Sequence, residues 1–518
     1  MEQMTLREKI GHMIMTGFPA EEITPSLGRL IDEYKVSNII LFSYNLKDKG
    51  QILRLCVDLQ NRIRQSTGYP ALIATDQEGG VVTRLPDTAA NIPGAMLLCA
   101  SGRREYACEA GRITGAELKT LGINMDLAPV LDIYSNPRNP VIGVRSYSSN
   151  VKKVEGFGMA MMKGLLGEGV AAVAKHFPGH GDTSVDSHLG LPVVEKGLEE
   201  LMAQELIPFE SAIKEGIPCI MTSHILFPKL EREKVPATMS KTILTDILRE
   251  RLGFKGVIIT DCLEMGAVKD NYGTARGAVM AVKAGAQLLC ISHTPELVMN
   301  AVQQIEEAVL TGEIPMEFID QAVDNVLKLK EVYKIDKNQK GPDEKDTFKY
   351  KRIIEEMTLS GITKLSKGSF PKFTQDTIFI GSYNYRSTLA GSTVGNGLHF
   401  AEYMAGKMNS SYLKVPINPG REEIEDILKK LKGYSFVIYG LYNGHLNNGQ
   451  TELANTISSM GHTVLGITLR NPYDLAFLDK KIYKLAAYEY NAAVFNTLVK
   501  ILKEEAVPGG KLPVQYTV

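Results

Sequence analysis

The sequence predicts an α/β protein of two parts: a (β/α)8 TIM-like barrel followed by a three-layer α/β/α sandwich. Three observations predict it. Eight short apolar runs alternate with amphipathic stretches of helical length over the first 335 residues. A polar, charge-rich interruption follows. The alternation then resumes with five more apolar runs.

In order, the eight runs are HMIMTGF (12–18), SNIILFS (37–43), ALIATD (71–76), INMDLAPV (123–130), AAVAKH (171–176), CIMTSH (219–224), GVIITD (256–261) and AQLLCIS (286–292). Helical stretches between them include 49–66, 102–121, 151–168, 197–215, 239–252 and 270–284, with another at 316–333. These define a barrel over 1–335. Residues 336–351, within IDKNQKGPDEKDTFKYK, read as a linker. The remainder, 352–518, carries TIFIGSY, LKVPI, SFVIYGLY, TVLGITL and KLAAYEY, with helices expected at 421–432, 450–460 and 491–505. Short strands and intervening helices predict a largely parallel sheet covered on both faces.

Composition narrows the function classes. The 518 residues are 44% hydrophobic and 23% charged, with a formal net charge of −1, so nothing electrostatic recruits the whole chain to nucleic acid or an anionic membrane. No apolar stretch is long enough to span a bilayer. The N-terminus, MEQMTLREKIGHMIM, lacks a signal-peptide pattern, which predicts a cytosolic protein unless a leader was trimmed. The six cysteines are scattered, without a C-x-x-C pair, and are expected to be reduced, buried thiols.

Many apolar runs end in a polar or titratable residue: Asp76, Asp126, Lys175–His176, His224, Asp261 and Ser292. Strand C-termini open onto the active-site face of a barrel, so these residues should converge. The densest segment is AVAKHFPGHGDTSVDSHLGLPVV (172–194), where glycine and proline fix turns that display polar side chains. Asp186 and His188 lie two residues apart there. A carboxylate so placed can orient an imidazole and stabilise its protonated form, as general acid–base work requires. The same tripeptide could be an Asx turn with a solvated histidine. His176, His180, Asp182, Asp186 and His188 are potential metal ligands, but no metal-binding spacing is present, and no metal or cofactor is expected. Asp261 at a strand end is a nucleophile or a helix cap. Glu264 belongs on the following turn. Asp76 and Arg84, within IATDQEGGVVTRL, suit a sugar's hydroxyl groups or form a structural ion pair.

Taken together, DQEGG (76–80), GINMDLAPVLDI (122–133), NPVIGVRSYS (139–148), KHFPGHGDTSVDSHLGLP (175–192), MTSHILFP (221–228), PATMSK (236–241), LRERLGFKGVIITD (248–261), LRNPYDL (469–475) and GGKLPV (509–514) resemble glycoside hydrolase family 3, and within it the β-N-acetylglucosaminidases of the NagZ type. The resemblance implies Asp261 as nucleophile and His188 as acid/base oriented by Asp186. It implies a sugar subsite of Asp76, Arg84, Arg145, Lys175 and His176, with His180, Asp182 and His224 in supporting roles. The implied reaction retains configuration through a glycosyl–Asp intermediate. Implied substrates are N-acetylglucosaminides from cell-wall fragments or chitooligosaccharides.

Three departures stand out. Val81 occupies a position where the family commonly has Arg, and carboxylates are usual near Val144 and at Gln287. These put leaving-group preference in doubt rather than the reaction. Three alternatives stay open: a phosphorylase using phosphate instead of water, a β-glucosidase, and a silent sugar-binding protein.

Overall fold

The computed structural model describes residues 4–187, 190–335, 344–385, 391–392 and 397–515. Its first sheet contains β1 (Ile14–Thr16), β2 (Asn38–Leu41), β3 (Leu72–Thr75), β4 (Met125–Asp126), β5 (Ala171–Phe177), β6 (Cys219–Thr222), β7 (Val257–Ile259) and β8 (Leu289–Ile291). All pair in parallel and in chain order. β8 pairs with β1, and a parallel bridge between Ile259 and Leu288 joins β7 to the entry of β8, closing the ring. Seven strands fall inside one of the eight apolar runs, and β5 extends one residue past its run, to Phe177.

Side chains alternate across the barrel wall, and that parity fixes what reaches the mouth. Leu72 and Ala74, Ala171 and Val173, Val257 and Ile259, and Leu288 and Cys290 share one buried cluster inside the barrel. The intervening residues, such as Ile73, Ile258 and Leu289, pack outward against helices. Continuing the inward parity by one step gives Asp76, Lys175, Asp261 and Ser292. Asp126 and His224 have the opposite parity to Met125 and Met221. The floor is closed by Val326 and Leu329 of the helix Met316–Val332.

Helices Lys49–Thr67, Arg104–Thr120 and Val151–Gly167 fill three expected stretches. The stretch at 197–215 divides into Leu198–Ala203 and Ile207–Lys214, with Pro208 in the first turn of the second helix, where its missing amide costs no hydrogen bond.

The second sheet holds β9 (Thr363–Lys364), β10 (Thr377–Gly381), β11 (Ser411–Lys414), β12 (Phe436–Leu441), β13 (Thr463–Thr468) and β14 (Tyr483–Ala486), in the order β11-β10-β12-β13-β14-β9. Only β9, antiparallel to β14, breaks the parallel pattern. Two residues are too short to register as an apolar run, so β9 lies outside the sequence expectation. β11 begins two residues before the expected LKVPI, and Pro416, which lacks an amide, stands beyond its end. The order reverses between β10 and β12, which makes their C-terminal ends a topological switch point.

Two expectations need correction. The interruption read as a linker is helical from residue 344: in Glu344–Gly361, Tyr350, Ile354 and Met357 recur at helical spacing and pack into the barrel's core. Surrounding charge masked that stripe in the sequence; residues 336–343 lie outside the described residues. Among the cysteines, Cys108, on the helix Arg104–Thr120, is exposed, and Cys262, beyond the end of β7, is half-buried. The two sheets share apolar contacts, since Met96, Leu97, Tyr134 and Val144 of the first part are buried in the core of the second. Among the described residues no helix is long and apolar enough to cross a membrane.

Candidate active site

A cavity of about 620 Å³ opens at the C-terminal mouth of the barrel. Asp76, Arg84, Arg145, Lys175, His176 and Asp261 all line it, as the sequence expects. The four residues with inward parity arrive there by simple continuation of their strands. His176 does not, because it neighbours Lys175 and should face away. The β5–β6 register shifts between Ala174 and Phe177, and this irregularity brings both side chains to the cavity.

Charges inside the mouth form one network. Lys175 Nζ lies 2.7 Å from Asp76 Oδ1 and 2.7 Å from Glu78 Oε1. Arg145 grips Glu78 with two bonds, Nε to Oε2 at 2.9 Å and Nη2 to Oε1 at 2.7 Å. Arg84 Nη2 stands 3.7 Å from Asp76 Oδ2. Burial alone would raise the Glu78 carboxyl, but the charges of Arg145 and Lys175 outweigh it and hold Glu78 well below the usual range. Burial works against the Lys175 ammonium too, and Asp76 and Glu78 overcome it, raising the pKa. The network therefore stays ionised, and cations and carboxylates that already neutralise one another can face a sugar's hydroxyl groups at little further cost.

Asp132, buried and six residues beyond the end of β4, sets the imidazole of His176. His176 Nδ1 donates to Asp132 Oδ2 at 2.7 Å, which leaves Nε2 toward the cavity, 3.5 Å from Arg145 Nη2. The other oxygen of Asp132 accepts from the amide of His180 at 2.6 Å. Burial opposes ionisation of Asp132, yet these imidazole and amide contacts hold its pKa down.

The loop after β5 is fastened from within. His180 Nε2 stands 3.1 Å from Ser187 Oγ, and Nδ1 stands 3.0 Å from Thr183 Oγ1. Asp182 pairs with Lys196 at 2.9 Å. Asp186 is buried on this loop and Ser187 reaches the cavity. His188 lies outside the described residues.

Asp261, half-buried at the end of β7, accepts the Cys262 amide at its own Oδ1, 2.7 Å away. His224 does not reach the cavity; its Nε2 donates to the Cys262 carbonyl at 2.9 Å, bracing the turn that holds Asp261. Asp126 stays behind the wall, where it accepts the Gln77 amide at 2.9 Å and burial raises its pKa well above the usual carboxylate value. Glu264 sits on the following turn and accepts the amides of His293 and Thr294, ahead of the helix Pro295–Leu310.

Sequence reasoning missed four contributors. Glu78 lies inside the quoted DQEGG and Asp132 inside VLDI, yet neither ends an apolar run. Tyr44 and His293 form an aromatic wall with Phe42, with ring centres 5.5 Å and 5.0 Å from it. Among the described residues no group of three or more histidine, cysteine or acidic side chains is arranged to hold a metal ion.

Residues 5–329 match the glycosyl hydrolase family 3 N-terminal domain. The chain belongs to glycosyl hydrolase family 3. It is a glycoside hydrolase.

Other family 3 proteins agree with this placement. A β-hexosaminidase A of Pseudoalteromonas piscicida is 37% identical over 333 residues, which cover 60% of this chain and 55% of that protein, so the match spans about half of the relative's length. A β-hexosaminidase of Methylococcus capsulatus is 37% identical over 273 residues, 52% of this chain and 79% of that one. Over the whole fold, the structure of a family 3 β-N-acetylglucosaminidase from Paenibacillus sp. str. FPU-7 superposes with a TM-score of 0.90 at 34% identity, covering 99% of both chains. The family 3 departures also find places in the structure. The Val81 carbonyl accepts from Ser392 of the second part, and Gln287 Oε1 accepts from Arg249 at 2.6 Å.

Proposed function

We propose that this family 3 enzyme is a retaining exo-β-N-acetylglucosaminidase, with Asp261 as nucleophile and the Asp186–His188 pair as acid/base. The observation that carries the reading is the sharing of one cavity by Asp261 and the charged cluster of Asp76, Arg84, Arg145, Lys175 and His176. The names of its relatives, β-hexosaminidase and β-N-acetylglucosaminidase, supply the sugar.

In the first step Asp261 attacks the anomeric carbon while His188 gives its proton to the departing oxygen. A glycosyl–Asp ester forms and the glycosidic bond breaks. In the second step His188 takes a proton from water, which displaces Asp261 and restores the β configuration. Asp186 holds the imidazole in the required tautomer. Asp76 accepts from ring hydroxyls, whereas Arg84, Arg145 and Lys175 donate to them. A cavity walled by the barrel's loops and, at Gly391, by the second part of the chain favours a terminal sugar over an internal one.

The test uses aryl β-glycosides with and without inorganic phosphate. The expected result is free N-acetylglucosamine, with the glucoside a poor substrate. Preference for the glucoside, or sugar 1-phosphate as product, contradicts the proposal.

A further inference from the structure

The barrel loop 134–148, which follows β4 and carries Arg145, is gripped by the second part of the chain. His445 Nε2 donates to the Pro137 carbonyl at 3.2 Å. Gly143 packs so closely on Asn471 that a Cβ there would stand 2.9 Å from its Oδ1. The Ser148 hydroxyl donates to the Pro513 carbonyl. Asn443 and His445 follow β12, whereas Asn471 and Asp474 follow β13 within LRNPYDL, and Asn471 Nδ2 donates to Asn443 Oδ1 at 3.0 Å. Pro513 belongs to GGKLPV. The chemistry at the barrel mouth uses neither motif.

His445 is the charged member of this grip. Its ring is only 4% exposed and Asp474 is fully buried. Asp474 Oδ1 accepts from the His445 amide at 2.9 Å and stands 2.6 Å from Nδ1. The carboxylate and the Pro137 carbonyl can only accept, so a ring bonded to both carries both protons. Asp474 balances that charge. Its Oδ2 is buried without a hydrogen-bond partner, and among the described residues His445 is the cation it pairs with. Such charge-assisted bonds are short and strong. Tyr134 Oη donates to the same Pro137 carbonyl at 3.0 Å, and the Tyr473 ring packs against both Tyr134 and His445.

Pro137 stands between two asparagines that hold the loop after β5. Asn136 Nδ2 donates to the Thr183 carbonyl at 3.3 Å. Asn139 Nδ2 donates to the His180 carbonyl at 2.8 Å and lies 3.1 Å from Thr183 Oγ1. His180 in turn meets Ser187, the neighbour of Asp186. We infer that His445, charged and held by Asp474, is a positioning residue for the acid/base loop. It fixes Pro137 and, through Asn136 and Asn139, the turn 180–183 that leads to Asp186 and His188. The inference rests on the reading of Asp186–His188 as acid/base. It gives the second part of the chain a share in proton transfer.

The test reads kcat/KM on two substrates in each variant. One is a β-linked disaccharide with N-acetylglucosamine at its non-reducing end, whose leaving oxygen needs a proton. The other is a nitrophenyl N-acetylglucosaminide, whose leaving group needs none. His445→Asn keeps a donor for Asp474 but is too short to reach Pro137. It is expected to lower the disaccharide value by roughly 10–100-fold, the scale of a misplaced catalytic group, through kcat rather than KM, and to spare the nitrophenyl substrate. His445→Gln puts an amide donor where Nε2 stands and should recover most of the loss. Because the two substrates are compared within one enzyme, a smaller folded fraction cancels. Equal losses on both substrates, as a merely structural role would give, overturn the inference. So does an unchanged disaccharide rate in His445→Asn, or a His445→Gln no better than His445→Asn. His188→Ala separates the two failures. If it spares the nitrophenyl substrate and His445→Asn does not, only the role of His445 falls; if it too loses equally on both, the acid/base reading falls and the inference with it.

Discussion

The Ser187 carbonyl accepts a hydrogen bond from the Ala267 amide at 3.2 Å. Ser187 stands between Asp186 and His188, and Ala267 follows Asp261 by six residues, so one bond ties the loop of the proposed acid/base pair to the segment of the proposed nucleophile. His180 grips the hydroxyl of the same serine.

Replacing His180 should therefore loosen catalysis more than binding. His180→Ala is expected to lower kcat by about 10²-fold, the scale of an ångström-sized misplacement, with KM little changed. Steady-state kinetics on an aryl N-acetylglucosaminide measure it, and an unchanged kcat refutes the bracing role. Burial depresses His180 to about 4 in the fold. The unfolded chain therefore binds a proton first, and the stability that neutral His180 contributes is complete above about 6.5 and declines as pH falls toward 4.

His188 and Asp186 are tested by leaving-group dependence. His188→Ala should cost roughly 10²–10⁴-fold on a disaccharide, whose departing oxygen needs a proton. Glycosylation by a nitrophenyl substrate should be spared. Equal losses on both substrates would remove His188 from the acid role, and Asp186→Asn should follow the His188 pattern at smaller magnitude.

Glu78 holds two buried cations. Glu78→Gln leaves Lys175 and Arg145 without their shared carboxylate and should cost about 3–5 kcal/mol of stability, read from the midpoint of urea unfolding. Because the fold depresses the Glu78 pKa, its contribution is present above the ordinary value of 4.5 and is lost as pH falls below it. A variant as stable as wild type at pH 7 contradicts the network.

Glu489 predicts the opposite sign. Burial raises it to about 7, against the lowering effect of the Gly94 and Asn491 contacts. The folded chain then binds the extra proton between about 4.5 and 7, so stability falls across that window as pH rises. Glu489→Gln keeps an acceptor for Gly94 and should raise the unfolding temperature at pH 8, with little effect at pH 5. Equal shifts at both values reject the assignment.

Much of this was legible from the chain. The barrel strands, and the convergence of Asp76, Lys175 and Asp261, follow from apolar runs of fixed parity ending in polar residues. His176 needed a register shift that no local pattern announces. Glu78 and Asp132 were hidden because their partners are distant: Arg145 is 67 residues from Glu78, and His176 is 44 from Asp132. A second cavity, of about 1060 Å³, is lined by residues within 80–93 of the first part together with Tyr442, Arg470 and Tyr490 of the second, a relationship that no single segment encodes.

Trapping the glycosyl–enzyme tests the central claim most directly. An activated fluorinated N-acetylglucosaminide slows hydrolysis of the ester, and peptide mass mapping finds the labelled residue. The account predicts one sugar on Asp261 and no label in Asp261→Asn. A label on another carboxylate, or full turnover by Asp261→Asn, would contradict it.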